Sequence, residues 1–216
     1  MISGVSVPGV WWELAGADRM LLRQQGQPVL FARVHPHRYG VRLHRPGGFR
    51  SPVTPVQADE ARRITTAESW AHRFSAGWPR LPGVRNLPPY SLATDLVLDW
   101  PDAELDWLGD GWNGVVPLRP LPSTEDGRVK AYRKLARDGL LPPLLLWWAS
   151  NLDGWLLIDG HSRLAAARAE SLPPVTLVLY PDEYARTEAR PLPGGTAAWN
   201  RLAAESAPAW RSDDWT

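Results

Sequence analysis

The stretch Ile158-Asp159-Gly160-His161-Ser162-Arg163 gathers groups able to hold a phosphate. An apolar run passes through a glycine straight into a helix-forming run, so backbone can approach a ligand closely at Gly160. The first turn of the helix that follows offers unpaired N–H groups and the positive end of its dipole. Ser162 adds a hydroxyl and Arg163 a planar fork of donors, the combination that binds phosphate. Gly160, His161, Ser162 and Arg163 are therefore candidate phosphate ligands. The alternative is plain capping: Asp159 and Ser162 close the helix and Arg163 is solvated, and spacing alone does not separate the two. His161 reads as an orienting or phosphate-facing imidazole, because nothing near it in sequence supplies the partners of a metal site. No metal ligands are predicted.

The elements that must position this turn carry their own start and stop signals. Residues 115–118 form a short strand ending at Pro120. Ser123 precedes Asp126 by three, a capping-box-like start, and Val129, Tyr132, Leu135 and Ala136 then recur on one helical face until Gly139. Residues 143–149 (PLLLWWA) and 155–158 (WLLI) are buried strands around an Asp-Gly hairpin signal. Adjacent Trp147 and Trp148 must face opposite sides of their strand. The run 162–170 (SRLAAARAE) is strongly helix-forming, with Leu164, Ala165, Ala167 and Ala169 suited to close packing. Pro173-Pro174 ends it, and 175–180 (VTLVLY) is a further strand. Strand, helix, hairpin, sharp turn, helix, strand predicts an α+β fold.

Before residue 110, proline and glycine interrupt nearly every apolar run, which predicts an irregular α+β extension of short elements. Residues 28–34 and 40–44 read as a hairpin with a longer loop, and 57–74 as one amphipathic helix with Ile64, Ala67, Ala71 and Phe74 on its buried face. Residues 77–89 read as loop. Trp100, Trp107 and Trp112 punctuate an acidic connection made of Asp99, Asp102, Glu104, Asp106 and Asp110. A C-terminal helix is expected over 196–206, followed by a tail, with Trp199, Trp210 and Trp215 either packing back, the default, or holding a partner. The expected organisation is 1–110, 111–186 and 187–216.

Composition removes several chemistries. The chain has 216 residues and no cysteine, which excludes disulfides, thiolate zinc sites, iron–sulfur clusters and a cysteine nucleophile. Lys+Arg 24 against Asp+Glu 23 is too balanced for a general electrostatic attraction to nucleic acid or anionic membrane, so any anion site must be local. The opening residues lack a basic segment followed by an apolar one, and no apolar stretch is long enough to span a bilayer. A cytoplasmic protein without membrane association is expected.

The run 115–180 resembles the ParB/sulfiredoxin superfamily. The residues carrying the resemblance are the Asp159-Gly160-His161-Ser162-Arg163 turn between an apolar strand and an alanine-rich helix, and the helix that ends at Gly139 before the proline-led strand at Pro142-Pro143. The resemblance implies a small mixed sheet with packed helices. Sulfiredoxin activity requires a cysteine and is excluded. ParB clamps carry a Gly-Glu-Arg-Arg turn and continue into DNA-binding and dimerisation segments; here the turn holds one arginine, and a full clamp is not expected in the residues after Tyr180. The branch of nucleotide-dependent free-serine kinases uses an Asp-Gly-His-x-Arg turn for phosphates and a glutamate at the start of the preceding helix as general base, the position of Glu125 here.

That resemblance implies Glu125, Asp159 and His161 as catalytic residues, a nucleoside di- or triphosphate with Mg²⁺ as cofactor, and a small hydroxyl compound as substrate. Glu125 also reads as a favourable charge at a helix N-terminus, and Asp159 either holds Mg²⁺ through water or caps the turn. A nucleotide-binding protein, with phosphotransfer as its chemistry, is the leading expectation. The second is a ParB-like DNA-associated protein, in which nucleotide is a switch or a phosphodiester is the substrate, and to which Arg33, Arg38, Arg42, Arg45 and Arg50, with Tyr39 and Phe49, would contribute phosphate and stacking contacts. A solvated hairpin is the simpler reading of that stretch in a chain so close to neutral, and the histidines His35, His37 and His44 in and beside it carry little by themselves. The third is a non-catalytic interaction domain.

Overall fold

A computed structural model describes residues 7–76, 78, 83–86, 96–108, 114–180 and 189–206. Along the chain these form β1 (Val10–Ala15), β2 (Arg19–Gln24), β3 (Gln27–Val34), β4 (Gly40–His44), α1 (Ala58–Arg63), α2 (Ala67–Phe74), β5 (Gly83–Asn86), β6 (Asp102–Asp106) and β7 (Val115–Pro117). Then follow α3 (Gly127–Arg137), β8 (Leu144–Ala149), β9 (Gly154–Asp159), α4 (His161–Ala169), β10 (Thr176–Tyr180), β11 (Ala189–Pro191) and α5 (Gly195–Ser206). The fold is a mixture of α and β. Among the described residues, no helix is long and apolar enough to cross a membrane.

Two sheets result, ordered β11-β1-β2-β3-β4-β6 and β5-β10-β8-β9-β7. They share one core, in which Trp12, Leu22, Leu30 and Leu43 of the first meet Leu145, Trp147, Leu156 and Ile158 of the second. Period-two alternation sends the intervening residues to the outer faces. Leu21 and Phe31 pack there with Ala198 and Trp199 of α5, while Leu144, Leu146 and Leu157 pack with Leu164 of α4. The second sheet is thus covered on both faces and the first on its inner face and, under α5, on part of its outer one, giving layers in the order α5, first sheet, second sheet, α3 with α4. Burial on both faces is the reason 144–149 and 155–158 read as unbroken apolar runs rather than as alternating ones. Trp147 lies in the shared core and Trp148 on the far side against Trp155, ring centroids 4.6 Å apart.

The second half follows the order its sequence predicts. β7 pairs parallel to β9, β8 antiparallel to β9, and β10 parallel to β8. The first half is more regular than its prolines and glycines suggest: β1 to β4 form an antiparallel meander. Three segments differ from expectation. The helix expected over 57–74 is two helices, because Ile64, Thr65 and Thr66 interrupt it: Ile64 turns to extended backbone, and Thr66 caps α2 by accepting from the Ser69 N–H. Within the expected loop, Gly83–Asn86 pairs antiparallel with β10. The acidic connection contains β6, whose Ala103 and Leu105 are buried while Glu104 and Asp106 face out, and which pairs with β4. Asp110, Trp112, Trp210 and Trp215 lie outside the described residues.

The three expected segments interleave. β11, from the last, pairs parallel with β1, and β5, from the first, joins the second sheet. Trp199 on α5 is buried edge-on to Phe31, its indole N–H donating to the Met20 carbonyl at 3.0 Å. Arg45, directly after β4, links the two sheets through the last residue of β7. Its guanidinium is buried and donates to the carbonyls of Val97, Asp99 and Pro117, stacked 4.8 Å over Trp100. Burial lowers its pKa to about 10, which leaves it charged at neutral pH.

Candidate functional site: a guanidinium-lined turn

Parallel neighbours end on the same edge of a sheet, so the residues following β7 and those following β9 meet there. Pro117 stands opposite Leu157 in the register, and two residues beyond each lie Arg119 and Asp159. At that edge a cavity of about 210 Å³ is lined by Asp159, Gly160, His161, Ser162 and Arg163 from the turn, and by Arg119, Arg128 and Tyr132 from the β7–α3 connection and α3. Ser51, Val53, Pro55 and Val56, which follow β4, complete its wall.

Gly160 makes the turn possible. It caps α4 with φ 106° and ψ 16°, a left-handed conformation that side chains rarely adopt. A Cβ there would stand 2.7 Å from Leu144 Cδ2 and 3.0 Å from Arg163 Nη2. Gly160→Ala is expected to destabilise the fold by about 1–3 kcal/mol through backbone strain alone, and to displace the Arg163 guanidinium. Chemical denaturation of the variant measures the first effect, and loss of anion binding the second.

Arg163 is buried at 3% exposure, with its guanidinium 5.4 Å over the Phe74 ring and Nη2 donating to Asp159 Oδ2 at 2.6 Å. Its buried Nε–H has no hydrogen-bond partner among the described residues, and the same is true of Arg119 Nε. Unpaired buried donors are costly, and both of these guanidiniums belong to residues that line the same cavity. Burial lowers the Arg119 pKa while the Asp159 carboxylate opposes that shift. Three guanidiniums therefore line the cavity against one carboxylate, and that carboxylate is already engaged.

His161 is buried at the first position of α4. The Arg119 backbone N–H donates to its Nε2 at 3.2 Å, and the Arg119 guanidinium Nη2, also a donor, stands 3.4 Å from its Nδ1. Burial, then Arg119 and Arg163, pushes its pKa down to about 3. It is neutral at physiological pH and orients the Arg119 backbone.

Of the residues singled out in the sequence, Asp159, Gly160, His161, Ser162 and Arg163 come together. Glu125 does not line the cavity: it precedes α3 with its side chain 78% exposed, 2.8 Å from Lys130 Nζ. The helix cap is Asp126, whose carboxylate accepts from the N–H groups of Arg128 and Val129. The basic stretch of the first half does not form one surface. Arg45 and Phe49 are buried and Arg33 lies 3.6 Å from Asp18, while Arg38 and Tyr39 are exposed. His44 is buried, its Nδ1 2.9 Å from Asp102 Oδ1. His35 and His37 line a separate groove with Tyr39. Sequence reasoning missed Arg119 and Arg128; the parallel β7–β9 pairing implied by the strand order was the available signal for Arg119. No protein-family model, curated protein or solved structure matches the chain.

Proposed function

We propose that this protein binds a nucleoside di- or triphosphate through the turn at Gly160–Arg163, on a ParB/sulfiredoxin-like unit spanning residues 115–180. The observation that carries the reading is the convergence of Arg163, Arg119 and Arg128 on one cavity beside the N-terminus of α4, against a single carboxylate. A phosphate there accepts from fixed donors and receives the helix dipole, and bidentate guanidinium contacts suit its oxygens. Asp159 accepts from Arg163 through Oδ2, so Mg²⁺ carried in on the polyphosphate would meet it through Oδ1 or a water, its remaining ligands being phosphate oxygens and water. The element order β7-α3-β8-β9-α4-β10 supports the superfamily reading.

Binding, rather than transfer, is the part of this function that the geometry favours. The kinase branch requires a base close to the phosphates, and exposed Glu125 is paired with Lys130 instead. A thermal-shift panel of ADP, ATP, CTP and GTP with Mg²⁺ tests the reading. A ligand present at 100 times its Kd adds about 2.7 kcal/mol of stability, so at least one nucleotide should raise Tm progressively with its concentration. No shift with any of them, and none with inorganic pyrophosphate, would remove the reading.

A further inference from the structure

We infer that the segment after β4, residues 51–56, is the wall that receives the organic part of the ligand, and that Arg73 is the positioning residue that holds this wall in place. The inference rests on the nucleotide reading of the Gly160–Arg163 turn and adds the determinant of what the phosphate is attached to.

The cavity divides by chemistry. Guanidiniums and the α4 N-terminus make its polar part, whereas Val53, Pro55, Val56 and Tyr132 contribute apolar and ring surface. At about 210 Å³ it falls below the roughly 300 Å³ at which pockets begin to enclose whole small molecules. Phosphates therefore fill the polar part, and the sugar and base lie along the 53–56 surface instead of being engulfed.

That surface is held rigidly from the α2 side. Arg73 donates from Nη1 to Thr54 Oγ1 at 2.9 Å, and from Nη2 to the carbonyls of Thr54 and Pro55 at 3.4 and 3.3 Å. Its Nε donates to Glu60 Oε1 at 2.7 Å, and Glu60 Oε2 in turn accepts from the Gln57 N–H at 2.8 Å. Val53 anchors the near end of the segment in the shared core. The residue after Arg73 is Phe74, whose ring carries the Arg163 guanidinium. One turn of α2 thus fixes the apolar wall and the phosphate-binding arginine relative to each other. Neither α2 nor the 51–56 segment belongs to the unit that supplies the turn, so the first half of the chain sets selectivity.

The test compares two ligands on three proteins. Inorganic pyrophosphate and the nucleotide that binds best in the panel above are titrated against the wild type, Val56→Ala, which trims the wall, and Glu60→Ala, which loosens it while leaving the Arg73 charge. Both variants should raise the nucleotide Kd by about three- to tenfold, the size of one lost apolar contact surface, and leave the pyrophosphate Kd within about twofold. Unchanged nucleotide binding in both variants, or equal weakening of both ligands, overturns the inference while leaving the phosphate site intact. Failure of pyrophosphate to bind the wild type overturns the phosphate reading itself, and the inference with it.

Discussion

Arg163→Ala is expected to lower stability by about 3–5 kcal/mol and to abolish nucleotide binding. Removing one partner of a buried ion pair leaves the other charge uncompensated, and costs of that size follow. Here the Asp159 side chain is 14% exposed and loses its 2.6 Å donor, while Phe74 loses the guanidinium stacked on it. Arg119 and Arg73 also feel the Asp159 charge, which places the cost in the lower part of that range. For a chain of this length about 3 kcal/mol corresponds to a fall in Tm of roughly 6–12 °C. The double variant Asp159→Asn with Arg163→Met removes the orphaned charge and should recover part of the loss, a coupling that a double-mutant cycle measures. A cost below about 1 kcal/mol would mean that the pair is not buried as described.

The second large effect is acid destabilisation through His161. Its folded pKa is about 3, against 6.5 for an unperturbed histidine, because burial, Arg119 and Arg163 all disfavour the imidazolium. A proton therefore binds the unfolded chain more tightly than the folded one. The stability this group contributes is complete above pH 6.5 and is lost as pH falls from 6.5 towards 3, at up to about 1.4 kcal/mol per pH unit. Unfolding free energies of the wild type and His161→Gln, measured from pH 8 to pH 4.5, should diverge below pH 6.5, the wild type falling more steeply. Parallel curves would contradict a buried, neutral His161. Contributions common to both proteins cancel in the difference.

The site's turn was legible because its constraints are local. A strand buried on both faces, a glycine and an alanine-rich helix follow one another within a few residues, and only a left-handed backbone at Gly160 joins them. Arg119 was not legible in that way, since it reaches His161 only through the pairing of β7 with β9. Glu125 sits near a genuine helix start, but Asp126 performs the capping and leaves it in solvent. The first sheet was harder to read because its signals are weak one by one. β6 shows only two apolar positions among three acids, and it becomes a strand because Ala103 and Leu105 complete the shared core. In α1 and α2 the helical spacing from Ile64 to Phe74 competed with a Thr66 cap that the same sequence contained, and the cap prevailed. The covering wall at 51–56 has no periodicity at all; it is held by Val53 in the shared core and by the long-range contacts of Arg73 to Thr54 and Pro55.

The central claim is that the Arg163 guanidinium and the α4 N-terminus hold phosphate, and calorimetric titration of inorganic pyrophosphate into the wild type and Arg163→Lys measures it most directly. The lysine keeps the charge and its pairing with Asp159 but lacks the Nε–H and the planar fork. Saturable binding to the wild type, weakened at least about tenfold in the variant as loss of a charge-assisted bond requires, is the predicted result. Equal affinities in the two proteins, or none in either, would contradict it.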